Sequence, residues 1–161
     1  MGTLIVYYSL EGNTAWAAEK LSGLLGAETL RLEPEKAYPS SGVKKFFWGG
    51  KSAVMGEAPP LKPYTFRAGE WDRIVFGFPV WAGNLTPPLR TFIKAHGAEL
   101  REKSLAAFAC ESGAGGEKAL KKLAALLGRE GLEAELILID PKTKPNPENE
   151  AKLRAFCEKL S

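Results

Sequence analysis

Three short stretches of the 161-residue chain carry the residue types and spacing needed for chemistry. The first is Ser9-Leu10-Glu11-Gly12-Asn13-Thr14, which offers two hydroxyls and a carboxamide as hydrogen-bond donors. If a helix starts at Asn13, its unbonded N–H groups and the positive end of its dipole join them, and the loop becomes an anion site. It lacks the Gly-Lys-Ser/Thr ending of a nucleoside-triphosphate loop and the three-glycine dinucleotide fingerprint, and it holds no cation of its own. The plainer reading is an N-cap turn, with Asn13 or Ser9 as the cap.

The second stretch is Pro79-Val80-Trp81-Ala82-Gly83-Asn84, followed by Leu85-Thr86-Pro87-Pro88. A Trp in this setting offers a flat apolar wall, or else serves as an ordinary covering aromatic. The third is Cys110-Glu111-Ser112-Gly113-Ala114-Gly115-Gly116, whose small residues allow a ligand close to the backbone or simply permit a tight turn.

These stretches must be positioned by regular elements. Thr3 to Tyr8, Arg73 to Phe78, Ser104 to Ala109 and Ala134 to Ile139 read as strands, several continuously apolar as in a sheet covered on both faces. Leu30 and Leu32 around Arg31 read as a short edge strand. Between them fall amphipathic helices. One runs from Asn13 to Leu25 with Ala17, Leu21, Leu24 and Leu25 inward; others carry Leu89, Phe92 and Ile93, then Leu120, Leu123, Ala124 and Leu127, then Leu153, Phe156 and Leu160. Val43, Phe46 and Phe47 have helical spacing before Gly49-Gly50, and Pro59, Pro60 and Pro63 impose an extended connection. The alternation predicts an α/β fold: an open parallel five-stranded sheet with helices on both faces, three layers in one domain over residues 1–161. Ligands of such sheets bind beyond the carboxyl ends of the strands, where all three stretches fall.

Composition narrows the function classes. The formal charge is +3 from 22 basic and 19 acidic residues, without a basic arm, so nucleic acid is not an expected partner. Cys110 and Cys157 have no metal-ligand spacing and read as thiols of a reducing cytosol. The N-terminus has no basic leader and no run approaches the about 20 apolar residues of a membrane span, so a cytoplasmic protein is expected. His96, the single histidine, is expected at the surface, Lys121-Lys122 on a solvated helix face, and Lys142 to Pro147 as a Pro-rich connection.

Taken together, the three loops resemble the flavodoxin-like family, whose short-chain members bind FMN. Ser9, Gly12, Asn13 and Thr14 match the Ser/Thr-x-x-Gly-Asn/Thr-Thr phosphate loop, and Pro79 to Asn84 match the flavin-ring loop of many bacterial members. Phe47-Trp48-Gly49-Gly50-Lys51 is similar to a run in that branch. The resemblance spans essentially the whole chain and implies strand order 2-1-3-4-5. It implies FMN as cofactor. Ser9, Leu10, Glu11, Gly12, Asn13 and Thr14 would hold the phosphate. Pro79, Val80, Trp81, Ala82, Gly83 and Asn84 would line the ring, and Glu111, Ser112, Gly113 and Gly115 would offer backbone N–H groups to its pyrimidine edge. No side chain would act as an acid or base, since the flavin performs the redox chemistry.

Three departures stand out: Glu11 where many relatives have a hydroxyl, no aromatic in the third loop, and a slightly basic charge where carriers of this family are acidic. The expected function is electron transfer through bound flavin. The alternatives are a small NAD(P)H-dependent quinone or flavin reductase and a domain that has lost its cofactor. Partners would be redox proteins, or NAD(P)H and a small acceptor, with the chain a monomer or dimer. A phosphatase loop at Cys110 fails because Gly116 stands where an arginine is required, and a receiver domain fails because Ser9 and Pro79 replace the needed carboxylates.

Overall fold

The computed structural model describes residues 2–38 and 56–161. Its strands are β1 (Gly2–Tyr7), β2 (Glu28–Arg31), β3 (Trp71–Pro79), β4 (Ser104–Glu111) and β5 (Glu135–Ile139). Helices are α1 (Asn13–Leu25), α2 (Pro87–Leu100), α3 (Gly116–Leu126) and α4 (Glu148–Lys159). The strands form one parallel sheet in the order β2-β1-β3-β4-β5. The expected order and layering are therefore present. The possible helix around Val43, Phe46 and Phe47 and the Phe47–Lys51 run lie outside the described residues.

Alternation along each strand divides the core between two faces. Leu4, Val6, Ile74, Phe76, Phe78, Leu105 and Ala107 pack with Leu89 and Phe92 of α2 and Leu120 and Leu123 of α3. Ile5, Val75, Ala106, Phe108 and Leu138 meet Ala17, Ala18 and Leu21 of α1 and Leu153 and Phe156 of α4. Gly77 is paired with Phe108, and a Cβ on it would stand 2.2 Å from the Phe108 ring, so only glycine fits there.

Several expectations need correction. Leu24, placed inward by spacing, is 41% exposed, and Ala18 takes the inner position. β4 continues through Cys110 and Glu111, which pair with Leu138 and Ile139, so the third loop starts at Ser112 rather than at Cys110. His96 is partly buried rather than free at the surface: its Nε2 lies 2.7 Å from the Tyr64 hydroxyl, its Nδ1 2.9 Å from Glu99, and its ring packs among Phe66 and Phe92. At His96 the helix dihedrals depart to φ −118° and ψ 16°. The proline-rich connection is extended as expected, with Glu35 N–H donating to Pro60 O and Lys62 N–H to Glu33 O.

Candidate functional site

At the carboxyl end of β1 the chain turns through Gly12, whose φ of 102° lies in the left-handed region, and enters α1 at Asn13. That conformation suits glycine. No side chain of the cap residue closes the helix; instead Ser9 Oγ accepts the Ala15 N–H at 3.1 Å. The N–H groups of Asn13 and Thr14 have no partner among the described residues. Thr14 is 1% exposed and its Oγ1 has no hydrogen-bond partner among the described residues. An orphaned buried hydroxyl beside two orphaned amides, at the positive end of a helix, is a donor set lacking an acceptor. Arg31 of β2 braces the loop by donating to Ser9 O at 3.0 Å.

The carboxamide of Asn13 is committed elsewhere. Its Oδ1 accepts the N–H groups of Lys142 and Thr143 at 2.9 and 3.1 Å, and its Nδ2 is 3.5 Å from Asp140 Oδ1. Asn13 thus fastens the loop after β5 to the loop after β1. Asp140, 9% exposed and at a φ of 37°, also accepts the Ser112 hydroxyl at 3.0 Å. Sequence reasoning left Asp140 and its loop out of the site. The available signal was topological: the carboxyl end of β5 lies on the same sheet edge as those of β1, β3 and β4.

The second loop is pinned by a tight turn, with Trp81 N–H donating to Asn84 O and Asn84 N–H to Trp81 O. Ala82 and Gly83 at its centre have φ of 50° and 68°, the pattern of a type I′ turn. Asn84 points inward, where its Oδ1 accepts from Leu85 N–H and Arg90 Nη2. Trp81 makes edge-on contacts with Tyr8 and Tyr38 at ring separations of 5.8 and 5.1 Å. Tyr38, from the connection after β2, supports Trp81 in this way without lining the cleft. Burial, reinforced by Tyr38 and partly offset by Arg31, pushes the Tyr8 phenol above its ordinary value and keeps it neutral.

In the third region Glu111 Oε2 accepts the Gly116 N–H at 3.1 Å, holding the start of α3. Gly115 packs against Val80 and Gly83, where a Cβ would come within 3.1 and 3.2 Å. Burial pushes the Cys110 thiol up to about 12, the neighbouring Thr14 hydroxyl partly offsets the rise without a hydrogen bond of proper geometry, and Asp140 adds to it. Cys110 is a neutral thiol at physiological pH and an inert part of the floor.

These loops enclose a cleft of about 530 Å³, within the roughly 300–1,000 Å³ of small-molecule sites. From the sequence-predicted set it brings together Ser9, Leu10, Glu11, Asn13 and Thr14, then Pro79, Val80, Trp81 and Ala82, then Ser112 and Gly113. Cys110, Ala114 and Asp140 also line it, whereas Gly12, Gly83, Asn84, Glu111 and Gly115 stand behind the lining as turn and packing residues. Among the described residues no cluster of His, Cys, Asp and Glu is arranged to hold a metal, and no helix is long and apolar enough to cross a membrane.

The family pattern described as flavodoxin matches residues 2–144. The chain belongs to the flavodoxin family. No curated protein matches it significantly. Among solved structures, a flavoprotein in complex with FMN from Lactobacillus acidophilus is 21% identical with a TM-score of 0.71, covering 94% of this chain and 97% of its own. A Bacteroides uniformis protein assigned as a flavoprotein reaches a TM-score of 0.76 at 20% identity, over 96% and 97% of the two chains. The two-electron reduced flavodoxin of Megasphaera elsdenii is 16% identical with a TM-score of 0.60, over 98% and 96%. At these identities the likeness establishes the flavodoxin fold, and the cleft of this flavodoxin-family chain must be read from its own residues.

Proposed function

We propose that this chain binds FMN in the cleft and carries electrons through it. The observation that carries the reading is the buried, unpartnered Thr14 hydroxyl beside the unbonded N–H groups of Asn13 and Thr14 at the start of α1. A phosphate monoester is the acceptor such a set fits. The FMN complex of the Lactobacillus acidophilus relative supports the same assignment.

In this reading Ser9 and Thr14 donate hydroxyl hydrogen bonds to the phosphate, and Asn13 acts through its N–H while its carboxamide braces the β5 loop. Trp81 walls the ring on one side, with Tyr38 in edge-on contact with it, and Ser112 and Gly113 present backbone to the ring's polar edge. FMN supplies one- and two-electron chemistry when bound; the protein contributes binding, orientation and electrostatics. A second cavity, of about 300 Å³, lies around Leu4, Thr29 and Trp71 at the amino ends of the strands, away from the cleft.

The test is the visible spectrum of the purified protein with and without added FMN, followed through stepwise anaerobic reduction. A carrier takes up FMN and is reduced in two separate one-electron steps. Direct reduction by NAD(P)H in a single two-electron step would establish the reductase instead, and no uptake at saturating FMN would overturn the flavin reading altogether.

A further inference from the structure

The loop after β1 contains no cation, yet the fold lays one across it. The space where a Cβ would sit on Gly12 is filled by the Lys142 side chain, with Nζ 2.9 Å and Cδ 3.3 Å from that position. Lys142 is held there from its backbone, because its own N–H and that of Thr143 both donate to Asn13 Oδ1. No carboxylate among the described residues forms an ion pair with it. The nearest acid on its own loop, Asp140, is occupied by the Ser112 hydroxyl at 3.0 Å and faces Lys144 Nζ at 3.8 Å. Lys142 is itself exposed and stands beside Gly12 behind the lining, while Glu11, on the opposite loop, lines the cleft.

We propose that Lys142 supplies the counter-charge for an anion bound by the β1–α1 loop. Resting on the FMN reading above, this makes the chain select phosphorylated flavin over riboflavin by charge as well as by hydrogen bonding. The physical basis is that hydroxyls and amides can satisfy the oxygens of a phosphate monoester but leave its charge uncompensated. An ammonium group held at the same loop attracts that charge directly, and the attraction weakens with salt. Gly12 serves two ends at once: its left-handed backbone makes the turn, and its missing side chain leaves room for the lysine.

The experiment compares wild type, Lys142→Ala and Lys142→Arg by fluorescence titration with FMN and with riboflavin, at low and moderate ionic strength. It adds the shift in melting temperature of the flavin-free protein caused by inorganic phosphate. Lys142→Ala should weaken FMN binding about five- to tenfold, leave riboflavin binding unchanged and flatten the salt dependence, with Lys142→Arg restoring most of the loss. Equal losses for both flavins, or no loss for either, would overturn the proposal. If wild type bound no flavin but phosphate still stabilised it in a Lys142-dependent way, the anion site would stand and the FMN reading would fall. Absence of both flavin binding and phosphate stabilisation would remove both.

Discussion

Replacing Thr14 by valine should move stability and binding in opposite directions. Valine keeps the branched shape and a similar helix propensity, so the 1%-exposed site stays packed and only the hydroxyl is lost. In the flavin-free protein that hydroxyl is buried without a hydrogen-bond partner. An unsatisfied buried polar group costs about 1–3 kcal/mol, so its removal should stabilise the flavin-free form by about 1 kcal/mol. For a chain of this length that is about 2–4 °C in melting temperature. A hydrogen bond to a charged acceptor contributes about 1.5–3 kcal/mol, so FMN should bind about 10- to 150-fold more weakly. Thermal melts of the flavin-free protein and fluorescence titration with FMN read the two effects separately. A variant that melts lower and binds FMN as well as wild type would refute the argument, because the hydroxyl would then be satisfied within the protein and irrelevant to the ligand.

Gly77→Ala should destabilise by about 1–3 kcal/mol in urea unfolding, because its Cβ would lie 2.2 Å from the buried Phe108 ring; recovery in the Gly77→Ala, Phe108→Leu double variant checks the cause. Ala82→Gly should raise stability by about 0.5 kcal/mol, the relief of a φ of 50° exceeding the added freedom of the unfolded chain, and a lower melting temperature would show the turn to be unstrained. Stability should decline in alkali: the Cys110 thiol, raised from 9.0 to about 12, stays protonated in the folded protein while the unfolded chain ionises, so the contribution is complete below about pH 9 and is lost on the way to 12. The slope should approach about 1.4 kcal/mol per pH unit for that group. Burial raises Cys157 and Tyr8 in the same direction. A flat unfolding free energy from pH 8 to 10.5 would contradict the assignment, and Cys110→Ala should reduce the slope.

What was legible in the sequence was what short-range chemistry encodes. Continuous apolar runs in Leu4-Ile5-Val6-Tyr7 and in Leu105 to Ala109 mark strands buried on both faces, and the helices between them require parallel pairing, which places the first three loops on one edge. The turn at Gly12 and the start of α1 at Asn13 follow from local residue types. Less legible was whatever depends on partners far along the chain. Asn13 looked like a ligand donor because its true partners, the N–H groups of Lys142 and Thr143, lie 129 and 130 residues away. His96 looked like a surface residue because Tyr64 and Phe66 come from a connection with no periodicity. Glu111 and Cys110 looked like loop because β4 is lengthened by pairing with β5 rather than by its own apolar run. Tyr38 carried no motif at all, and only the return of its segment to the carboxyl edge sets it against Trp81.

The most direct test of FMN in this cleft is a titration followed by backbone amide NMR shifts. The account predicts that adding FMN moves the amides of residues 9–15, 79–83 and 111–114 together with those of Lys142 and Thr143, and leaves the amino ends of the strands unmoved. No shifts at saturating FMN, or shifts centred on Leu4, Thr29 and Trp71 instead, would contradict it.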